Sequence, residues 1–401
     1  MARAIAGCIS TQHVSMTSMH PRSYPHECSY QRRINGGRVS MQCNHRTVAK
    51  KRSSSRYLGQ SIAFGLALLA TQWASAATPC TDAQICGLGN SEDAVRLGTT
   101  QWAIATRLEP DPAMTSGFYL IDLQARRASE LVTDDSRPAD ARFKACPGPM
   151  DPKKLVTHGL DVHWLSPAHG ELYAVNHGGR ESIEVYDLRL GDDGAHLQWI
   201  GCVVIPADTL TNAVAFVPGG MAVTSFGQRD DKDLAKLRKG EPSGFVAMWS
   251  PEKGWHHLPN TQFAGNNGIA WNAGDNSLYV NGWGDGTLHI VPLRPGAAAS
   301  TIKLAGIHPD NAHFLPDGKL LIAGQMGKPD VIMGCGLGPV CPMDSNVVLF
   351  DVHARKVIEQ ISAKATPTFG AASTAILFDH QYWGTSFGGD RAERLGASHQ
   401  P

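Results

Sequence analysis

The chain is 401 residues long, and its 36 Lys+Arg balance 36 Asp+Glu, so it carries no basic field to hold nucleic acid or anionic lipid. With 42 glycines, 24 prolines, 42% hydrophobic and 18% charged residues, it is turn-rich and globular in composition and falls outside the disordered class. A small-molecule role is favoured.

The first element in chain order is a leader. Lys50, Lys51, Arg52 and Arg56 precede an apolar run over 62–70, and Ala74-Ser75-Ala76 follows it with the small-residue pattern of a signal peptidase site. The run is too short to span a bilayer. Residues 1–76 therefore read as a cleaved N-terminal segment, with Met41 the more ordinary start, and 77–401 as an exported periplasmic or extracellular domain with no membrane span. Export changes the meaning of the cysteines, because losing Cys8, Cys28 and Cys43 leaves an even set in an oxidising compartment. Cys80 with Cys86 and Cys335 with Cys341 would close small loops. Cys146 and Cys202 are then the remainder, although six cysteines admit about 15 connectivities and sequence alone does not choose. The spacings do not suit a zinc knuckle, and no His pair flanks them.

Beyond the leader a phrase recurs: a polar residue, an apolar run, a turn with Pro, Gly or Asp, and a second apolar run. Copies start at His158, Asn212, Asn267, Asn311 and Ser373, which are 54, 55, 44 and 62 residues apart. That is close to the period of propeller blades, and each copy is too small to bury its own hydrophobic face. Between the starts, 171–175, 182–186, 244–249, 277–280, 287–291, 319–323 and 346–350 read as short strands, with hairpin turns at 218–220, 272–275 and 316–318. One helical excursion is expected over 230–238. Residues 212–226 and 373–387 align without a gap and both run into Thr-Ser-Phe-Gly, which identifies the last blade, while Ser91-Glu92-Asp93 opens the first. The predicted fold is all-β, a six-bladed β-propeller whose starts at Glu92, His158, Asn212, Asn267, Asn311 and Ser373 converge on a central, metal-containing channel.

His158-Gly-Leu, Val175-Asn-His177, Leu210-Thr-Asn212, Asn267-Gly-Ile, Asp310-Asn311 and Gly384-Thr-Ser-Phe, in that order and spacing, resemble the successive motifs of the serum paraoxonase family. A more distant likeness runs to the gluconolactonase and strictosidine-synthase-like propellers. The resemblance covers nearly the whole chain after the leader and implies a calcium-dependent hydrolase of lactones and aryl esters. Position by position, it implies Glu92, Asn212, Asn267, Asp310 and Asn311 as calcium ligands and His158 with His177 as a histidine dyad. Two departures stand out. Ala213 occupies the place of an acidic ligand to a second, structural calcium, which leaves Asp93 and the Leu160 carbonyl an incomplete site, with Asp93 available instead to support Glu92. A cleavable leader replaces the family's retained anchor, so lipoprotein association is not implied.

The residue chemistry agrees with the ligand set. Five side-chain oxygens without Cys or His suit a hard cation of high coordination number, Ca²⁺ before Zn²⁺. A neutral imidazole near the metal can take a proton from water while a second one orients it. No G-x-S-x-G elbow follows the leader, so a serine nucleophile is not expected. Trp283 and Phe226 lie where an apolar substrate wall would stand, with His308 at its rim. His163, His169, His256, His257, His289 and His380 read as surface or packing residues. Substrate choice is expected to reside in the loops 228–241 and 324–344. A sugar-lactone hydrolase, a strictosidine-synthase-like enzyme and a non-catalytic calcium-stabilised binding propeller are the alternatives.

Overall fold

The structure is a computed structural model that describes residues 79–109, 111, 113–228 and 235–400. The expected leader and the three leader cysteines lie outside the described residues, as does the start of the expected helix. Among the described residues the chain forms six sheets, the blades of a β-propeller, antiparallel except where Thr133–Asp134 joins the edge of blade 2 in parallel. Their first strands are Ala94–Arg96, Thr157–Ser166, Thr209–Val217, Asn266–Asn272, His308–Phe314 and Ala372–Phe378. Each packs against the first strands of both neighbouring blades, and the sixth meets the first, so these strands form the closed inner wall of the ring.

Strand alternation places the core between blades. In His169–Asn176 of blade 2, Leu172 and Ala174 face blade 1, beside Ile104 and Phe118, whereas Tyr173 and Val175 face blade 3, beside Val214 and Val223. Both faces of a blade are therefore buried. Each fully buried Leu, Ile or Val contributes roughly 1.5–3 kcal/mol, and no blade can collect that without its neighbours. The ring is fastened by its ends. Gln84–Cys86 pairs antiparallel with Arg391–Ala397, so the outermost strand of blade 6 comes from the start of the described chain.

All seven strands expected between the repeat starts are present. Of the expected helix, Ala235–Arg238 is helical, and Pro329–Met333 adds a short turn of helix that the sequence pattern did not signal. The disulfides are Cys80–Cys86, Cys146–Cys202 and Cys335–Cys341, a set that suits an oxidising compartment. No helix among the described residues is long and apolar enough to cross a membrane.

Candidate functional site

The repeat's polar residues sit at a shared irregularity. In blades 2 to 6 the register of the inner strand shifts by one residue: between Thr157 and Leu160, Thr211 and Val214, Asn266 and Ile269, Pro309 and Ala312, and Ala372 and Thr374. Each is a β-bulge holding His158, Asn212, Asn267, Asp310 with Asn311, or Ser373. A bulge bends the strand and re-aims one side chain, here toward the channel. The small residue that follows has its own cause. A Cβ on Gly159 would lie 2.5 Å from the Ala213 Cα, and one on Gly268 would lie 2.4 Å from the Asp310 carbonyl oxygen. Neighbouring inner strands approach so closely at these points that only a minimal side chain fits.

Glu92, Asn212, Asn267, Asp310 and His158 line one cavity of about 230 Å³. Four buried oxygens there have no hydrogen-bond partner: Glu92 Oε2, Asn212 Oδ1, Asn267 Oδ1 and Asp310 Oδ1, one from each of four blades. The protein saturates what lies beside them. Asn311 Nδ2 donates to Glu92 Oε1 at 2.8 Å, and Gln325 Nε2 donates to Asp310 Oδ2 at 2.6 Å while its Oε1 accepts from Trp283 Nε1 at 2.7 Å. Asn311, expected as a fifth ligand, thus holds Glu92 in place through its amide, and its residue does not line the cavity.

Burial and the charge of Asp93 push Glu92 up to about 8, and burial with the charge of Glu92 pushes Asp310 well above the usual carboxylate range. Two buried carboxylates facing uncompensated oxygens need protons or a cation. The donors are all hard oxygens, at a spot lined by side chains from several blades, so the residues present fit Ca²⁺. Among the described residues no group of three His, Cys, Asp or Glu is placed to hold a metal; this set has two carboxylates and relies on asparagine amides.

His158 borders the same cavity. Its Nε2 lies 3.4 Å from Glu92 Oε2 and 3.4 Å from Asn212 Nδ2, and its Nδ1 lies 3.0 Å from His177 Nε2. Burial pushes the His158 imidazole down to about 4, which keeps it neutral. His177 Nδ1 is 2.8 Å from Glu181 Oε2. Phe226 and Trp283 form the expected wall, 5.8 Å apart edge to face, joined by Leu108, Ile332, Met333, Leu337 and Phe387. The loop 324–344 does supply part of that wall. His308 does not: its ring nitrogens lie 2.7 and 2.9 Å from the carbonyl oxygens of Trp283 and Gly327, so it braces Trp283 from outside the cavity.

Asp93 and Leu160 meet through protein hydrogen bonds. Asp93 accepts from the N–H groups of Ala94 and Leu160, at 2.8 and 2.9 Å, and its Oδ1 lies 2.7 Å from His313 Nε2. Leu160 presents its N–H to Asp93, and an imidazole stands beside the carboxylate. Beyond this pair a larger cavity of about 530 Å³ opens toward the other ends of the inner strands, lined by Phe216, Trp271 and Phe314 among others. None of its lining residues carries a buried polar side-chain atom without a partner. The unpartnered buried oxygens of Glu92, Asn212, Asn267 and Asp310 belong to the smaller cavity.

Sequence reasoning missed Gln325 and Glu181. Gln325 falls at the end of a second strand, where the repeat has no marker, and Glu181 follows a glycine pair in a turn; neither carries a local signal.

No protein-family model and no curated protein matches the chain. Solved structures similar to it include a gluconolactonase candidate, at 14% identity and a TM-score of 0.43 over 80% of this chain and 96% of that one. A glucose dehydrogenase candidate from Thermus thermophilus has 16% identity and a TM-score of 0.40, over 78% and 98%. A luciferin-regenerating enzyme has 12% identity and a TM-score of 0.40, over 79% and 96%. These scores carry no inference about activity.

Proposed function

We propose that the protein is an exported, calcium-dependent hydrolase of lactones or aryl esters. The observation that carries the reading is the set of four unpartnered buried oxygens, one from each of four blades, beside the His158–His177 pair. Glu92, Asn212, Asn267 and Asp310 would hold the ion, with Asn311 and Gln325 fixing the two carboxylates. A bound calcium supplies positive charge that polarises the substrate carbonyl and stabilises the oxyanion formed from it.

The protein's own groups do the rest. His158 takes a proton from water at Nε2, the nitrogen that faces the cavity, and a base so placed typically contributes about 10²–10⁴-fold. His177 receives the His158 Nδ1–H and keeps the ring oriented. Phe226, Trp283, Ile332, Leu337 and Phe387 exclude bulk water and seat an apolar substrate body. That wall also separates substrate classes. Trp283 spends its N–H on Gln325, so the wall offers little to the hydroxyls of a sugar lactone, and aliphatic or aromatic rings fit better. The leader and the disulfides support export.

The test is hydrolysis of aliphatic lactones, sugar lactones and phenyl acetate with and without chelator. Activity should vanish on chelation and return with calcium, and aliphatic lactones should outrun sugar lactones. His158→Gln should lower turnover about 100-fold or more with calcium affinity near wild type, whereas Asn267→Ala should weaken both. Full activity in protein shown by elemental analysis to hold no metal would overturn the reading.

A further inference from the structure

We propose that Glu181 is a positioning residue for this reaction: it sets the tautomer of His177 and, through it, leaves the His158 Nε2 lone pair facing the cavity. This rests on the hydrolytic reading, and its mechanism is a chain of complementary hydrogen bonds. A carboxylate can only accept, so His177 Nδ1, 2.8 Å from Glu181 Oε2, carries the hydrogen. In the proposed tautomer the His177 lone pair lies on Nε2, and this nitrogen, 3.0 Å from His158 Nδ1, accepts from it. His158 is left with its hydrogen on Nδ1 and a lone pair on Nε2. The amide nitrogen of Asn212, a donor, lies 3.4 Å from that same Nε2, and this placement turns the unpartnered Asn212 oxygen away from the ring. Glu92 Oε2 also lies 3.4 Å from Nε2, and both border the cavity, so the Nε2 lone pair opens where a group with a hydrogen to give can reach it. Water is such a group.

The turn that carries Glu181 is built to hold it. Asn176 Nδ2 donates to the carbonyl oxygens of Gly178 and Arg180, at 3.0 and 2.9 Å, and Asn176 Oδ1 accepts from the Gly178 N–H. A Cβ on Gly178 would collide with the Lys154 carbonyl oxygen, so the chain can follow this path only as glycine. The backbone is pinned on both sides, by the His177 N–H on Val156 and by the Ile205 N–H on Glu181. Arg180 pairs at 2.8 Å with the fully buried Glu184 and is directed there. When His158 takes a proton, its Nδ1–H bond to His177 strengthens, and the Glu181 charge behind His177 favours the imidazolium. Glu181 does not line the cavity.

Selective ¹⁵N-histidine labelling of the whole protein, with two-bond proton–nitrogen correlation, reads both tautomers without recourse to activity. His158→Gln and His177→Gln assign the signals. The wild type should show hydrogen on Nδ1 of both rings. Glu181→Ala should abolish that single pattern and lower turnover about tenfold or more with KM and calcium affinity little changed, and Glu181→Asp should restore part of both readouts. Hydrogen on Nε2 of His158 in the wild type, or unchanged tautomers and turnover in Glu181→Ala, would overturn the proposal. A protein that hydrolyses none of the test esters, yet shows the tautomers and loses them in Glu181→Ala, would retain the positioning role while the hydrolase reading fails.

Discussion

His158 and His289 show how one residue type serves two ends. Both rings are largely covered and kept neutral, but His158 turns a nitrogen to a cavity lined by unpartnered oxygens, whereas His289 spends both nitrogens inside its blade. Its Nε2 lies 2.8 Å from Thr287 Oγ1, its Nδ1 3.0 Å from Thr301 Oγ1, and its ring stacks 3.6 Å from Phe263. Burial pushes His289 down to about 4, below the value of about 6.5 for an unfolded histidine. The unfolded chain therefore binds a proton across that interval while the folded one does not. The stability His289 contributes is complete above about pH 6.5 and is lost as pH falls toward 4, by on the order of 3 kcal/mol at most. His289→Asn, which keeps a polar link to the threonines without titrating, should show a flatter loss of denaturation midpoint over the same interval. Equal slopes for variant and wild type would show that His289 does not carry this term. That His158 and His177 meet was expected from the resemblance their two motifs carry; Gln325 and Glu181 were not, because each acts through a partner that only the fold brings near.

At the scale of the element, the bulge explains why the repeat could be read at all. A regular strand would send alternate residues to opposite faces of the blade, into the packing between blades. One extra residue in each of five inner strands turns the polar side chain inward, and in blades 2 and 4 the next position is glycine because adjacent inner strands crowd there. A polar residue followed by an apolar run was visible; the bulge beneath it was not, since no side chain records a register shift. Gly268→Ala tests the crowding. Its Cβ would fall 2.4 Å from the Asp310 carbonyl oxygen, and forcing the two strands apart should cost about 1–3 kcal/mol in denaturant midpoint and weaken calcium binding with it. Wild-type stability and affinity would mean that the strands yield freely at this point. The short helix at Pro329–Met333 escaped notice because one turn is too brief to show a period.

Across the whole molecule, the four unpartnered oxygens border the cavity at one end of the inner strands, and the Asp93–His313 pair stands between it and the wider cavity. Asp93 is engaged by two backbone N–H groups and an imidazole, so a second ion would have to displace all three. Calorimetric titration of metal-stripped protein should find a single tight calcium per chain, and two tight sites would contradict this. The number of blades and the ring were readable from the repeat, but the way the ring closes was not, because Gln84–Cys86 resembles no part of the repeat. That closure has a temporal side. The first residues of the described chain pair with the last strand, so the barrel of blades stays a gapped arc until Arg391–Ala397 has been synthesised. Glu92 belongs to one lip of that gap, Asn311 to blade 5, and Ser373, whose hydroxyl donates to the Glu92 carbonyl oxygen, to the blade made last. An ion gripped by Glu92 and Asp310 would therefore straddle the seam like a rivet, and the chain would acquire its affinity for the ion only at the moment the arc becomes a circle.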